Sequence, residues 1–317
     1  MKWAMGERVQ TRDAYGAALL ALGNQRENIV VLDADLQRSN RTYAFGQEHP
    51  DRFFDMGIAE ADMVSTAAGM AATGMTPFAN SFAMFVPGRS YDQIRLQVAY
   101  GRTNVKLVGA SAGLTIGPDG ATHQSLDDVA LMRQLPNMTV VVPADAVETY
   151  QAVMIAAETE GPFYIRLGRY PTPVLFGPDY TFEIGAAPEL RPGDDVALLA
   201  TGIMVAQAME TADVLAEEGV DAAVSNVPTI KPLMSEVILD RVSGKRLVVT
   251  LEEHSIIGGL GSAVAEIVAA SGSTPPLIRI GIADRFGESG PPDELLETYG
   301  LTPGAVAAAV LDALEAV

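Results

Sequence analysis

An α/β architecture of two doubly wound units with mostly parallel sheets follows from three features of the sequence. Short apolar runs alternate with helical patterns along most of the chain. Several of those runs are continuously apolar, as strands covered on both faces are. The alternation is interrupted once, by the proline-rich stretch Tyr170-Pro171-Thr172-Pro173 and Gly177-Pro178, which reads as a connector between units.

In the first unit, Thr11 to Leu22 reads as a helix with Thr11 as its N-cap, Ala14, Ala18 and Leu22 on one face, and Gly23-Asn24 ending it. Ile29 to Leu32 has the look of a buried parallel strand. A helix opening at Glu60 follows, then a strand at Pro77 to Phe82 and a helix at Tyr91 to Tyr100. Val105 to Gly109 predicts a strand leading into a glycine-rich loop, Gly113 to Gly120. Met138 to Val142 and Phe163 to Leu167 predict two more strands, separated by a helix that Asp145 caps and that runs to about Glu158. In the second unit, strands are expected at Val196–Thr201, Ala222–Asn226, Arg246–Leu251 and Ile278–Ile282. Helices are expected at Met204–Glu217, from about Gly259, and at Pro303–Leu314, where Pro303 suits a first turn. The predicted units are residues 1–178 and 179–317.

Composition narrows the function. The chain has 317 residues, 48% hydrophobic and 19% charged, enough for two packed cores. Forty acids against 21 bases give a net charge of -19, which argues against nucleic acid or an anionic membrane as partner. With no cysteine, disulfides, thiolate metal sites and thiol nucleophiles are excluded. The N-terminus, Met1 to Arg8, has no apolar run of signal-peptide length and no later stretch reaches the length of a membrane span, so a cytoplasmic protein is the expectation.

The residues that could carry chemistry lie in the loops between strands and helices, where open parallel sheets bind ligands. Glu60 follows Gly57-Ile58-Ala59 and precedes a small, apolar helix beginning with Met63 and Val64. A glutamate there either complements the helix dipole or, if buried, carries a proton. Phe82 and Phe85 are core residues or the wall of a flat ligand. Asp35 reads locally as a turn cap. Of three histidines, His49, His123 and His254, the second lies in a Gly/Asp/Thr-rich loop suited to proton transfer.

Four segments together resemble the transketolase group of thiamine-diphosphate enzymes: the run from Phe53 to Met70, Asn80 to Phe85, Gly117 to Gln124, and Glu252 to Gly259. The resemblance covers nearly the whole chain but only the C-terminal half of a full-length transketolase. It implies a pyrimidine-binding domain followed by a transketolase C-terminal domain. It further implies that Glu60 hydrogen-bonds the aminopyrimidine of thiamine diphosphate, that Phe82 and Phe85 wall it, and that Asp35 lies near the thiazolium. Asp119 and His123 would orient the sugar. Arg12, Ser39 and Arg166 would grip its terminal phosphate. Two departures stand out: a third aromatic falls on Gly88, and a phosphate-contacting histidine falls on Ser111, with Arg169 near enough to compensate. His254 is expected to be structural.

The metal motif of that group, Gly-Asp-Gly, does not occur here, so the resemblance places the Mg2+ ligands on a separate N-terminal subunit and implies a heterotetramer of two large and two small chains. The expected activity is transfer of a two-carbon ketol unit from a ketose phosphate to an aldose. The β subunit of a 2-oxo-acid dehydrogenase shares the architecture, but an oxo acid has no terminal phosphate for Arg12, Ser39 and Arg166 to hold. A synthase joining pyruvate to glyceraldehyde phosphate has a similar glutamate motif but normally occurs as one long chain. A non-catalytic regulatory subunit would have no reason to keep Glu60, Asp119 and His123 together.

Overall fold

The computed structural model describes residues 3–272 and 275–316, so the outermost residues of both predicted units, 1–2 and 317, lie outside the described residues. The first unit is built on a seven-stranded sheet. Its order is Thr229–Lys231, Thr139–Val141, Phe163–Arg166, Lys106–Ala110, Thr76–Phe82, Ile29–Asp33 and Phe53–Asp55. All neighbours are parallel except Thr229–Lys231, which pairs antiparallel with Thr139–Val141. Every residue of the four strands Ile29–Asp33, Thr76–Phe82, Lys106–Ala110 and Phe163–Arg166 is buried. Their continuous apolar runs reflect cover on both faces.

The helices Thr11–Gln25, Glu60–Ala72 and Ala146–Glu158 form as predicted. Asp145 caps the last, accepting the Glu148 N–H at 2.8 Å. Thr11 is not a cap. It is the first helical residue, and its hydroxyl accepts the Gly168 N–H at 2.8 Å, tying the helix to the end of a central strand. The helix predicted from Tyr91 is α-helical only to Gln93 and continues as a π-helix over Ile94–Tyr100, a form often found near functional sites.

The second unit carries a five-stranded sheet in the order Leu277–Ile282, Leu247–Ser255, Val196–Ala200, Ala222–Asn226 and Glu189–Arg191, the last strand antiparallel. Helices Met204–Glu217, Leu260–Ser271 and Pro303–Glu315 match the predicted ones, and Ser235–Val242 and Pro292–Thr298 are additional. Among the described residues no helix is long and apolar enough to cross a membrane.

The two units are laced together. The short strand Thr229–Lys231 crosses back into the first sheet. The proline-rich connector is a structured ribbon, because Pro171–Pro173 pairs antiparallel with Arg8–Gln10. Glu148, fully buried between the units, accepts from the Ala144 N–H (2.7 Å), the Asn226 amide (2.7 Å) and the Tyr180 hydroxyl (2.5 Å). Burial pushes its carboxyl up to about 7.

Candidate active site

Loops after five strands of the first sheet, with the start of helix Thr11–Gln25, carry two groups of side chains. In the first group Glu60, at the start of its helix, turns inward and is 3% exposed. Its carboxylate accepts from the Ser81 hydroxyl at 3.1 Å and from one Arg89 nitrogen at 2.9 and 3.2 Å. Met63 and Val64 are buried beneath it as expected, whereas Ile58 points outward and is 75% exposed. Ser81 and Phe82 come from the end of Thr76–Phe82, and Phe85 and Arg89 from the short helical turn after it. The rings of Phe82 and Phe85 stack with centroids 5.8 Å apart. His123 stands edge-on to both, 5.3 Å from Phe85 and 6.3 Å from Phe82, with a ring nitrogen 2.9 Å from the Thr122 hydroxyl. The structure therefore brings Phe82, Phe85 and His123 together as one aromatic group and joins Glu60 to it through Arg89, whose Cζ lies 3.8 Å from the centre of the Phe85 ring. At Gly88, where a third aromatic was expected to be missing, a Cβ would meet no atom within 4 Å.

The second group is cationic. Asp33, buried at the end of Ile29–Asp33, accepts from the Leu36 N–H (2.7 Å), the Thr42 hydroxyl (2.8 Å) and the Asn40 amide (3.0 Å). Burial pushes its carboxyl up to about 6. Those bonds shape the loop that carries Asp35 and Ser39. Asp35 is exposed with a left-handed φ of 60°, its N–H donating to Asp55 at 3.2 Å. Arg12 donates to the Ser39 carbonyl at 3.1 Å and to the Gln10 side chain at 2.7 Å. Desolvation, with the nearby charges of Arg41 and Arg169, holds the Arg12 guanidinium down to about 10, against the pull of Asp13 and Asp119. Arg169 pairs with Asp119 at 3.0 Å and Arg41 with Asp13 at 2.5 Å. Three guanidiniums thus share two carboxylates, an arrangement that favours a further anion.

Arg166 does not belong to this group. It is the last residue of a buried strand, and its guanidinium donates to both Asp128 oxygens (2.9 and 3.2 Å) and to the carbonyls of Glu253 (2.9 Å) and Ser125 (3.2 Å). Its Nε and Nη2 donors are spent inside the protein and its side chain is 7% exposed, which sets it apart from the cationic group. Ser111 is likewise fully buried, with a left-handed φ of 55° and an unpaired hydroxyl, so as folded it presents no side chain to a ligand. Arg169, in the loop beyond the strand, faces Arg12 and Asp119 instead.

The loop from Gly113 to Leu126, which carries both Asp119 and His123, is braced by the second unit. Glu253 accepts the Thr115 N–H at 2.6 Å. Gly113 has a φ of 83°, and a Cβ there would lie 2.2 Å from the Glu253 carboxyl carbon. Gln124 donates to the Glu288 carbonyl at 2.9 Å, and the Ser255 N–H donates to the Leu126 carbonyl at 2.8 Å. Burial pushes Glu253 up to about 7. His254, predicted to be structural, is buried beside it. Its Nε2 accepts the Ala130 N–H at 3.4 Å and its Nδ1 donates to the Ser255 carbonyl at 2.7 Å, with burial lowering it to about 4.

Residues that shape the site but were not singled out in the sequence include Asp33, Arg41 with Asp13, and Arg89. The signal for Arg89 was its place four residues after Phe85, which on a helical turn sets the two side chains on one face. Among the described residues, no three or more His, Asp or Glu side chains are grouped to hold a metal ion.

Comparison with known proteins identifies both domains. Residues 7–173 match the model of the transketolase pyrimidine-binding domain, and residues 185–306 that of the transketolase C-terminal domain. The chain is 44% identical over 291 residues to the 6-deoxy-6-sulfo-D-fructose transketolase subunit SqwH of a Clostridium species, covering 92% of this chain and 90% of that one. It is 37% identical over 313 residues to human transketolase, covering 97% of this chain but 49% of the human protein. A solved structure described as a split-gene transketolase, an inactive β4 tetramer, superposes with a TM-score of 0.90 at 48% identity. That superposition covers 97% of this chain and 99% of the other.

Proposed function

Because the chain belongs to the transketolase family, a thiamine-diphosphate-dependent family, we propose that it is the half of a transketolase that grips the aminopyrimidine and orients the sugar, active with a second chain. The observation that carries this reading is the buried Glu60 carboxylate, paired with Arg89 over Phe85 in the Phe82–Phe85–His123 group, with the arginine group joined through Asp119 on the loop that bears His123. The residues fit the cofactor: a carboxylate enclosed by protein is suited to a ring nitrogen, and Phe85 has a flat face, here covered by the Arg89 guanidinium, with open space at Gly88. When bound, thiamine diphosphate supplies a nucleophilic carbon and an electron sink. Glu60 would hold a proton at the pyrimidine ring nitrogen, and Phe85 would fix the tilt of the ring. His123 would donate to the substrate carbonyl oxygen, and Asp119 would hold its hydroxyls. Asp35, on the loop set by Asp33, would face the thiazolium side.

The terminal anion of the substrate would sit between Arg12, Arg169 and the Ser39 loop, Arg169 taking the part expected of Arg166. This arginine group favours transfer of a ketol unit between sugar phosphates over decarboxylation of an oxo acid. A relative 44% identical is named for a sulfonated fructose, and guanidiniums bind phosphate and sulfonate alike, so both oxyanions belong in the assay. The second chain would supply the Mg2+ and diphosphate ligands in a two-plus-two heterotetramer in the cytoplasm. Exposed Ile58, Leu96 and Tyr100 lie on the Glu60 turn and on the π-helix packed against helix Glu60–Ala72, an apolar surface suited to a protein partner.

The test is native mass spectrometry of the tagged chain purified from its host with magnesium and thiamine diphosphate, followed by ketol transfer from phosphorylated and sulfonated ketoses. A complex with a second chain and bound cofactor is expected, and Glu60→Gln in that complex should lower turnover by about 10²–10⁴ with the fold intact. A Glu60→Gln assembly working within about tenfold of wild type would refute the assignment.

A further inference from the structure

Arg89 occupies the space that a flat nitrogen ring would take. Its Nη1 reaches both oxygens of Glu60 (2.9 and 3.2 Å), and its Cζ lies 3.8 Å from the centre of the Phe85 ring, over the ring face. A guanidinium is planar, donates N–H bonds to carboxylates and stacks on aromatic rings. Those are the two contacts that the aminopyrimidine edge and face would make with the same two residues. No ring can stack on that face of Phe85 and bond Glu60 until the guanidinium leaves.

We propose that Arg89 is a displaceable stand-in for the aminopyrimidine, resting on the reading of Glu60 and Phe85 as a cofactor cradle. It pairs the Glu60 carboxylate while the cradle is empty, and it competes with the incoming ring. A buried carboxylate without a partner is strongly destabilising, so an empty cradle needs such a stand-in. Displacement is easy because the Arg89 side chain is 46% exposed, so its charge leaves into water, and the bare backbone at Gly88 leaves it room to swing. Glycine in place of a third aromatic is then the counterpart of the arginine beside it.

The test uses the isolated chain and thiamine, which carries the aminopyrimidine without the diphosphate, followed by calorimetry and by thermal shift. Arg89→Ala should bind thiamine about tenfold more tightly than wild type, since a half-exposed ion pair and a cation–π contact no longer compete. Arg89→Gln, which keeps a polar group near Glu60 and serves if the alanine variant folds poorly, should show a smaller gain. Adding Glu60→Gln to either should abolish the gain. Equal, weaker or undetectable binding by both Arg89 variants overturns the proposal and makes the arginine a fixed wall of the site. If the wild-type assembly from the host nevertheless retains thiamine diphosphate in a Glu60-dependent way, only the stand-in role falls. If it retains none, the cofactor reading falls with it.

Discussion

Replacing Arg166 by methionine separates the two roles an arginine can have at the end of a strand. The side chain makes four hydrogen bonds inside the protein, two to Asp128 and two to backbone carbonyls, one of them that of Glu253 in the second unit. Arg166→Met would leave the fully buried Asp128 carboxylate with the Tyr164 hydroxyl at 2.7 Å as its side-chain donor. Removing one partner of a buried ion pair costs about 3–5 kcal/mol, and for a chain of this size that lowers the melting temperature by roughly 10 °C. Arg169→Met breaks only the half-exposed pair with Asp119, worth less than about 1 kcal/mol, so its melting temperature should hold while KM for a phosphorylated sugar rises in the assembled enzyme. Adding Asp128→Asn to Arg166→Met should recover part of the lost stability, because the uncompensated buried charge goes with it. Differential scanning calorimetry on the four chains decides the matter. An Arg166→Met chain that melts like wild type but loses substrate affinity would refute the structural role and restore Arg166 to the anion site.

Two further outcomes follow from the joint between the units. Burial pushes Glu148, Glu252 and Glu253 each up to about 7. Folded values above the unfolded one mean that their share of stability is present below about 4.3 and lost as pH rises through about 7. His254 works the other way: lowered to about 4, its share is present above about 6.5 and lost as pH falls through its folded value. On these four groups the isolated chain should melt highest at about pH 4–5, where three raised carboxyls outweigh one lowered imidazole, and lower at pH 8, with Glu148→Gln flattening the decline; a melting temperature that climbs steadily from about pH 5 to 8 would contradict this. Gly113→Ala should cost about 2–4 kcal/mol, from a strained φ and from a methyl driven into the Glu253 carboxylate. In a Glu253→Ala background the same change should cost only about 1 kcal/mol. Equal costs in both backgrounds, measured by denaturant unfolding, would mean that Glu253 does not shape the loop.

Much of the sheet was legible because its central strands are continuous apolar runs separated by capped helices, a pattern that depends on neighbours in sequence. The cradle was legible for a related reason. Glu60, Phe82, Phe85 and His123 sit where a strand or loop turns into the next element, so local chain geometry delivers them to one end of the sheet. What escaped depends on distant partners. Thr229–Lys231 is three residues long, and nothing in it announces that it returns to the first sheet. Arg166 looked like a free cation, although its neighbours Ile165 and Leu167 lie in an unbroken buried run. An arginine inside such a run is far more often paired in the interior than aimed at solvent, and Asp128 provides that pairing. The same reasoning extends to the second unit. Glu253 fills the space that Gly113 leaves and holds Thr115, while its own carbonyl holds Arg166. The loop bearing Asp119 and His123 is therefore shaped from the second unit. A mutation among these buried residues should alter catalysis through that loop without touching cofactor or sugar.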